Sequence, residues 1–287
     1  MLIHSYIQNR EKHPIELIIR ILHTLNSILV KQIDILHTKK VKIQNWQHPF
    51  EALSFKLTFH VASMEKLLEK SSIPYQAQNL EVIDIASINV ITRAIIENYL
   101  TLYHFHFENV AEEQKVFRYL IYASSALKNR QSFTVYNLDN EEQLNHEKEV
   151  IDRLLETLKT NAYFLGLPLK NQEHYLKTKE AKQFNWTELL DKADLRPEFF
   201  KDTWRLLSNY AHSEFLSVLQ IREYPRNFQQ LNSNAYFMGE VCAMVLGRAI
   251  SNTAIIFSVT KEIVDALEIE EENLLKYFAA VGKKGAS

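Results

Sequence analysis

Residues 204–214 read WRLLSNYAHSE and set Arg205, Ser208, Asn209, Tyr210 and His212 among leucines and aromatics. An imidazole titrates near neutral pH, so His212 is a candidate general acid or base. Arg205 is a candidate phosphate ligand, because its planar guanidinium donates two parallel hydrogen bonds. At 100° per residue, with Arg205 at zero, His212 falls at about −20°, Asn209 at about +40° and Ser208 at about −60°. All four share one helical face over two turns. Leu216 and Leu219 fall on that face too, at about +20° and about −40°. A face turned only to water does not become leucine after two turns, so the polar part is expected at a cleft rim or a helix end.

A second polar stripe lies upstream, in a helix expected from about Leu80 to Glu108. With Arg93 at zero, Asn89, Glu97, His104 and Glu108 lie within about 60°. Ile88, Ile91, Ile95, Tyr99 and Leu102 take the opposite side. Two readings stand. The helix is amphipathic with this face in water, or the face turns inward and Arg93 must pair with Glu97, because an isolated buried charge is very costly. In the second case the pair is placed to hold or tune His212.

These segments carry a resemblance. DIASINVITRAIIENYLTLY resembles the Arg-x-x-x-Glu helix of a family of uncharacterised bacterial helical proteins. WRLLSNYAHSE resembles that family's second motif, a Tyr/Leu-Ser segment ending in His. The family is similar in turn to the HEPN superfamily (higher eukaryotes and prokaryotes nucleotide-binding), whose ribonucleases carry Arg-x4-6-His. Arg205 and His212 fit with six residues between them, although Leu206 stands where those enzymes place a polar residue. The resemblance implies a helical bundle that forms a homodimer, with Arg and His of two subunits lining one cleft. It also implies metal-independent cleavage of RNA, whose own 2′-hydroxyl is the nucleophile. Arg205 and His212 are then catalytic, with Arg93, Glu97, Ser208, Asn209 and Tyr210 in support, in an endoribonuclease or a toxin- or defence-type effector. The competing reading is a non-catalytic binding or scaffold bundle in which these residues form a buried polar network.

Other chemistries lack their residues. The 287-residue chain holds 5 glycines, the first at Gly166, so neither GxGxxG nor GxxxxGK[ST] can be built. No glutamate stands three residues before any of the 11 histidines, as a di-iron bundle requires, and HExxH and CxxC are missing. Asp34 with His37 and Glu142 with His146 are isolated pairs. The one cysteine, Cys242, lies in an apolar run and reads as a buried, inert thiol. No cofactor or metal is expected.

Scarce glycine and only 6 prolines leave little material for the tight turns of a sheet protein. No alternating pattern of useful length occurs. The fold is therefore expected to be all-α, a bundle of about seven to ten helices with long central ones. Helices should open at Pro14, Pro49 and Pro197, where proline costs no hydrogen bond. Asp139 and Glu142 look like a capping box. The helix from Pro197 is expected to continue to about Glu223. A last long helix over 232–267 carries Gly239, Ala243, Gly247 and Ser251 in one row, which admits a close helix neighbour and supports a homodimer. The parts are expected to form one domain: an N-terminal hairpin over 1–75, a core bundle over 80–165 and 197–282, and a connecting arm over 166–196. The net charge of −2 argues against coating of nucleic acid, though residues 1–48 hold a local excess of +4. The N-terminus lacks the apolar run of a signal peptide, and Arg20, Arg93 and Arg248 interrupt the apolar stretches. The expectation is a cytoplasmic, soluble protein with no membrane partner.

Overall fold

A computed structural model describes residues 2–12, 14–75, 78–134, 138–222 and 228–285. Its helices are α1 (Leu2–Asn9), α2 (Ile15–Thr38), α3 (Pro49–Leu68), α4 (Ile85–Leu102), α5 (Glu112–Arg130), α6 (Leu138–Thr160), α7 (Ala162–Leu165) and α8 (Leu169–Lys177). There follow α9 (Trp186–Lys192), α10 (Pro197–Ala211), α11 (Phe215–Arg222), α12 (Phe228–Ile256), α13 (Lys261–Asp265) and α14 (Ile269–Val281). The protein is all-α. The helices beyond the expected seven to ten are short ones, which periodicity over a long window does not register.

Two strands form one antiparallel hairpin between α3 and α4, β1 (Ser71–Tyr75) and β2 (Gln78–Val82). The sequence pattern predicts only a break here. Five-residue strands are too short to show alternation, and Pro74 is tolerated in β1 because that strand has a single neighbour. Leu80 therefore belongs to β2. The α4 helix starts later, where the Asp84 carboxylate accepts the Ser87 N–H at 3.0 Å.

The chain divides into two compact units. One comprises Met1–Lys42, Pro49–Phe107 and Leu189–Ser287, and the other Ile43–His48 with Glu108–Glu188. The boundary at Phe107/Glu108 lies inside the stretch that the sequence pattern assigns to one core bundle.

In the larger unit α12 packs on α2, α4 and α14, and α3 packs on α2 and α4. Proline openings recur as expected: Pro49 begins α3, Pro197 is the first residue of α10, and Pro14 stands one position earlier, as the N-cap of α2. Over Gln230–Ile256 the α12 helix is long and apolar enough to cross a membrane by length and composition, yet 78% of the apolar window is buried against the protein itself. Its two charges are matched. Glu240 accepts from the Tyr6 hydroxyl at 2.5 Å and from Arg10 Nε at 2.8 Å, which ties α1 to α12. Arg248 pairs with Asp194.

The small-residue row is used within the chain. A methyl group on Gly239 would lie 2.5 Å from Ile18 Cγ1 of α2, and one on Gly247 would lie 2.6 Å from the Ala279 backbone nitrogen of α14. These close helix contacts explain the row without a second subunit. The α14 backbone cannot swing aside as a side chain can. Gly247→Ala is therefore expected to destabilise by about 1–3 kcal/mol despite alanine's better helix propensity. Urea denaturation checks this, and a variant as stable as wild type would mean that α14 yields.

The smaller unit closes α5, α6 and α7 around Phe117, Leu120, Ile121, Leu158 and Phe164. Within it the Arg118 guanidinium, 1% exposed, reaches Glu108 at 2.8 Å and Gln183 at 3.3 Å. Asp139 is the second residue of α6 rather than its cap, and the preceding residue 137 lies outside the described residues.

Candidate functional site

Three of the residues singled out from sequence meet between α4 and α10. Arg93 Nε donates to Glu97 Oε1 at 2.8 Å, the expected i, i+4 pair. Arg93 Nη1 stands 3.3 Å from His212 Nε2. Trp204 joins them, its indole N–H donating to the same Glu97 oxygen at 3.0 Å while its ring lies 5.1 Å from the Arg93 guanidinium carbon. The side chains of Arg93 and Glu97 are 15% and 23% exposed, and His212 is exposed. The cluster therefore has a sheltered ion pair at its root and an imidazole at its wet end.

The Arg93–His212 geometry has a chemical consequence. A guanidinium only donates, so His212 Nε2 must offer a lone pair, and the neutral imidazole then carries its proton on Nδ1. At 3.3 Å the bond is long, and a better acceptor displaces it easily.

His212 owes its place to the end of α10. Ser213 adopts φ +52°, Glu214 N–H bonds to the Asn209 carbonyl at 2.8 Å and Ser213 N–H to the Tyr210 carbonyl at 3.3 Å. This is a Schellman stop with His212 at the C-cap, and a serine takes the left-handed position that glycine usually fills. The helix ends at Ala211 instead of running on toward Glu223, which lies outside the described residues. Leu216 and Leu219 sit in the separate helix α11, so their azimuths do not continue from Arg205.

The remaining sequence candidates separate. Arg205 is 69% exposed and lies 3.7 Å from Asp202, outside the cluster. Ser208 Oγ donates to the Trp204 carbonyl at 2.9 Å, and Asn209 Nδ2 to the Arg205 carbonyl at 3.0 Å. Both use their side chains on their own helix. His104 and Glu108 do not join the cluster; α4 gives way to a π-helical turn over Tyr103–Phe107, which contains His104 and precedes Glu108. His104 is fully buried, and Glu108 meets Arg118.

Tyr210 turns inward and is hydrogen-bonded to Asn89 of α4. Burial pushes its phenol pKa up, and the Asn89 hydrogen bond pulls partly back. Tyr210 also lines a cleft of about 760 Å³ between α3 and α4, with Ser63, Lys66, Val90 and Ile91. Val90 lies one turn before Arg93, and His212 follows Tyr210 by two residues.

Trp204 is the contributor given no role from sequence, while Asn89, already placed on the Arg93 stripe, serves Tyr210. Trp204 was visible at the head of the WRLLSNYAHSE segment.

Elsewhere, burial pushes the Cys242 thiol up to about 12, against a smaller opposing effect of its Thr92 hydrogen bond, so the thiol stays protonated. Among the described residues no group of three or more His, Cys, Asp or Glu side chains is placed to hold a metal ion. The chain matches no protein family, no curated protein and no solved structure.

Proposed function

We propose that the protein cleaves RNA without a metal ion, with His212 as the acid/base group and Arg93 as the cation that receives the scissile phosphate. The observation that carries this reading is the 3.3 Å approach of Arg93 Nη1 to His212 Nε2. An incoming phosphate is the stronger acceptor and takes the Arg93 N–H. That exchange releases the Nε2 lone pair. The imidazole then removes the 2′-hydroxyl proton as O2′ bonds to phosphorus and the P–O5′ bond breaks. The departing 5′ oxygen takes its proton from the imidazolium, and a 2′,3′-cyclic phosphate is left. Glu97 and Trp204 hold the guanidinium in place meanwhile. Arg205, exposed on the same helix, is a peripheral phosphate contact. The HEPN resemblance supports the substrate class and adds a homodimer and an effector role of the toxin or defence type.

The test is incubation of purified protein with end-labelled RNA in excess chelator. Cleavage by wild type that disappears in His212→Ala supports the reading. No cleavage, or cleavage indifferent to that substitution, sinks it.

A non-catalytic reading is favoured by one specific arrangement, the clamp in which Glu97 receives both Arg93 of its own helix and Trp204 of α10. Here the cluster only fastens α4 to α10. Glu97→Ala strands two donors, so a loss of about 1–3 kcal/mol in unfolding free energy is expected under either reading. A variant that melts like wild type would show that the clamp does not hold the two helices together.

A further inference from the structure

The outer face of α3 combines positive charge with an uncovered aromatic ring. Lys56, Phe59, Ser63 and Lys66 recur at i, i+3, i+7 and i+10, within about 80° of one another around the helix. All four are exposed, and Phe59 is 66% exposed at the middle of the stripe. Its ring lies roughly parallel to that of Phe55, with centroids 6.0 Å apart. Lys70 is exposed just past the helix end.

The acids of this helix stand off the stripe. Glu51 is bound to His37 at 2.7 Å and Glu65 to His23 at 3.3 Å. Lys66 meets Glu69 at 2.9 Å, but both groups are more than half exposed, and such a pair exchanges readily for a phosphate. Ser63 and Lys66 also form the α3 wall of the cleft whose other sides are Val90, Ile91 and Tyr210. The lysine–phenylalanine stripe thus opens into an apolar trough, and α4 and α10, which complete that trough, also carry Arg93 and His212.

We infer that this stripe and cleft form a binding track for single-stranded RNA, with Lys56 and Lys66 on phosphates, Phe59 stacked on a base and the cleft receiving a neighbouring base. The inference rests on the RNA reading of the Arg93–His212 cluster. Charge selects the occupant: spaced lysines match a polyanion, and an exposed ring among them offers a stacking platform that every base can use. Lys56 and Lys66 are about 15 Å apart along the axis, which spans about four nucleotides of stacked strand.

The experiment measures anisotropy of a fluorescein-labelled 2′-O-methyl oligouridine of about twelve nucleotides, a length in the range such grooves occupy. The 2′-O-methyl group blocks cleavage, so binding is read separately from chemistry. Lys56→Glu/Lys66→Glu is expected to weaken binding about tenfold or more. It should also flatten the slope of log Kobs against log salt by about 1.4, since each lost phosphate contact on a single strand contributes about 0.7. Phe59→Ala should weaken binding about fivefold or more. All three side chains are solvent-exposed, so unchanged melting temperatures confirm that the variants fold. Wild type that binds while the variants bind equally well overturns the track and leaves the cleavage reading standing. Wild type that does not bind the oligonucleotide overturns the track outright. Track-dependent binding by a protein that never cleaves RNA upholds the track and removes the acid/base reading alone.

Discussion

Asp194→Ala is expected to lower the unfolding free energy by about 3–5 kcal/mol, the cost of leaving a buried charge without its partner. Asp194 lies between α9 and α10 and is the acceptor for three side chains. Arg248 donates to Oδ2 through Nε at 3.1 Å and also through Nη2, Asn252 donates to the same oxygen at 2.9 Å, and the Tyr99 hydroxyl donates to Oδ1. Asn252 also donates to the Tyr99 oxygen at 2.9 Å, so the four residues form a closed net across α4 and α12. Burial, helped by the Asp194 charge, holds the Tyr99 phenol well above its usual range, so it acts as a donor. Removing the carboxylate takes the ion-pair partner from the guanidinium and the acceptor from the hydroxyl, and leaves the Asn252 amide only its bond to Tyr99. Urea denaturation followed by circular dichroism reads the loss. The double variant Asp194→Ala/Arg248→Met should lose less than the two single losses combined, because the second change removes the stranded charge. An Asp194→Ala protein within about 0.5 kcal/mol of wild type, the scale of an ordinary surface substitution, would show that the net is not what fastens these helices.

If the protein cleaves RNA as proposed, His212→Ala is expected to lower the rate by about 10²–10⁴, the range of a positioned general acid or base. The companion substitutions separate two arginines. Arg93 holds Glu97 with Nε and reaches His212 with Nη1, so its fork serves two partners at once. Lysine has one compact head and cannot span both. Arg93→Lys should therefore lose nearly as much activity as Arg93→Ala. Arg205, paired at 3.7 Å with an exposed aspartate, should cost far less when replaced by alanine. If Arg205→Ala matches His212→Ala while Arg93→Ala stays active, the sequence motif identified the working arginine and the arrangement around Arg93 is only a fastening. Activity that survives His212→Ala unchanged removes the imidazole from the chemistry and with it the acid/base reading.

Much of the architecture was legible in the residues alone. Five glycines do not supply the turns of a sheet protein, and the chain is helical. Proline marked the starts of α3 and α10. The spacing of Gly239 and Gly247 announced close helix neighbours. Their identity was not legible, because α2 and α14 approach from distant parts of the sequence.

The candidate site was legible in part, for a definable reason. Periodicity supplies relative angles along one continuous helix. It placed Arg93 with Glu97, since one α-turn separates them. It failed wherever the helix changed character. The α-helix carrying Arg93 gives way to a π turn at Tyr103–Phe107 before Glu108 is reached, and the Schellman stop at Ser213 detached Leu216 and Leu219 from the face of Arg205.

By its own composition and spacing the chain determined that it is helical, where several helices begin, and that Arg93 and Glu97 lie within reach of each other. Only the tertiary structure decided that Arg93 turns toward His212 while Arg205 turns to water, that Trp204 completes the ion pair, and that Glu240 and Arg248 find partners inside the core. The reason is that a helix's sequence sets the angles between its own side chains but not the rotation of that helix against its neighbours. That rotation is chosen by the burial of every apolar face at once, and so belongs to the whole fold.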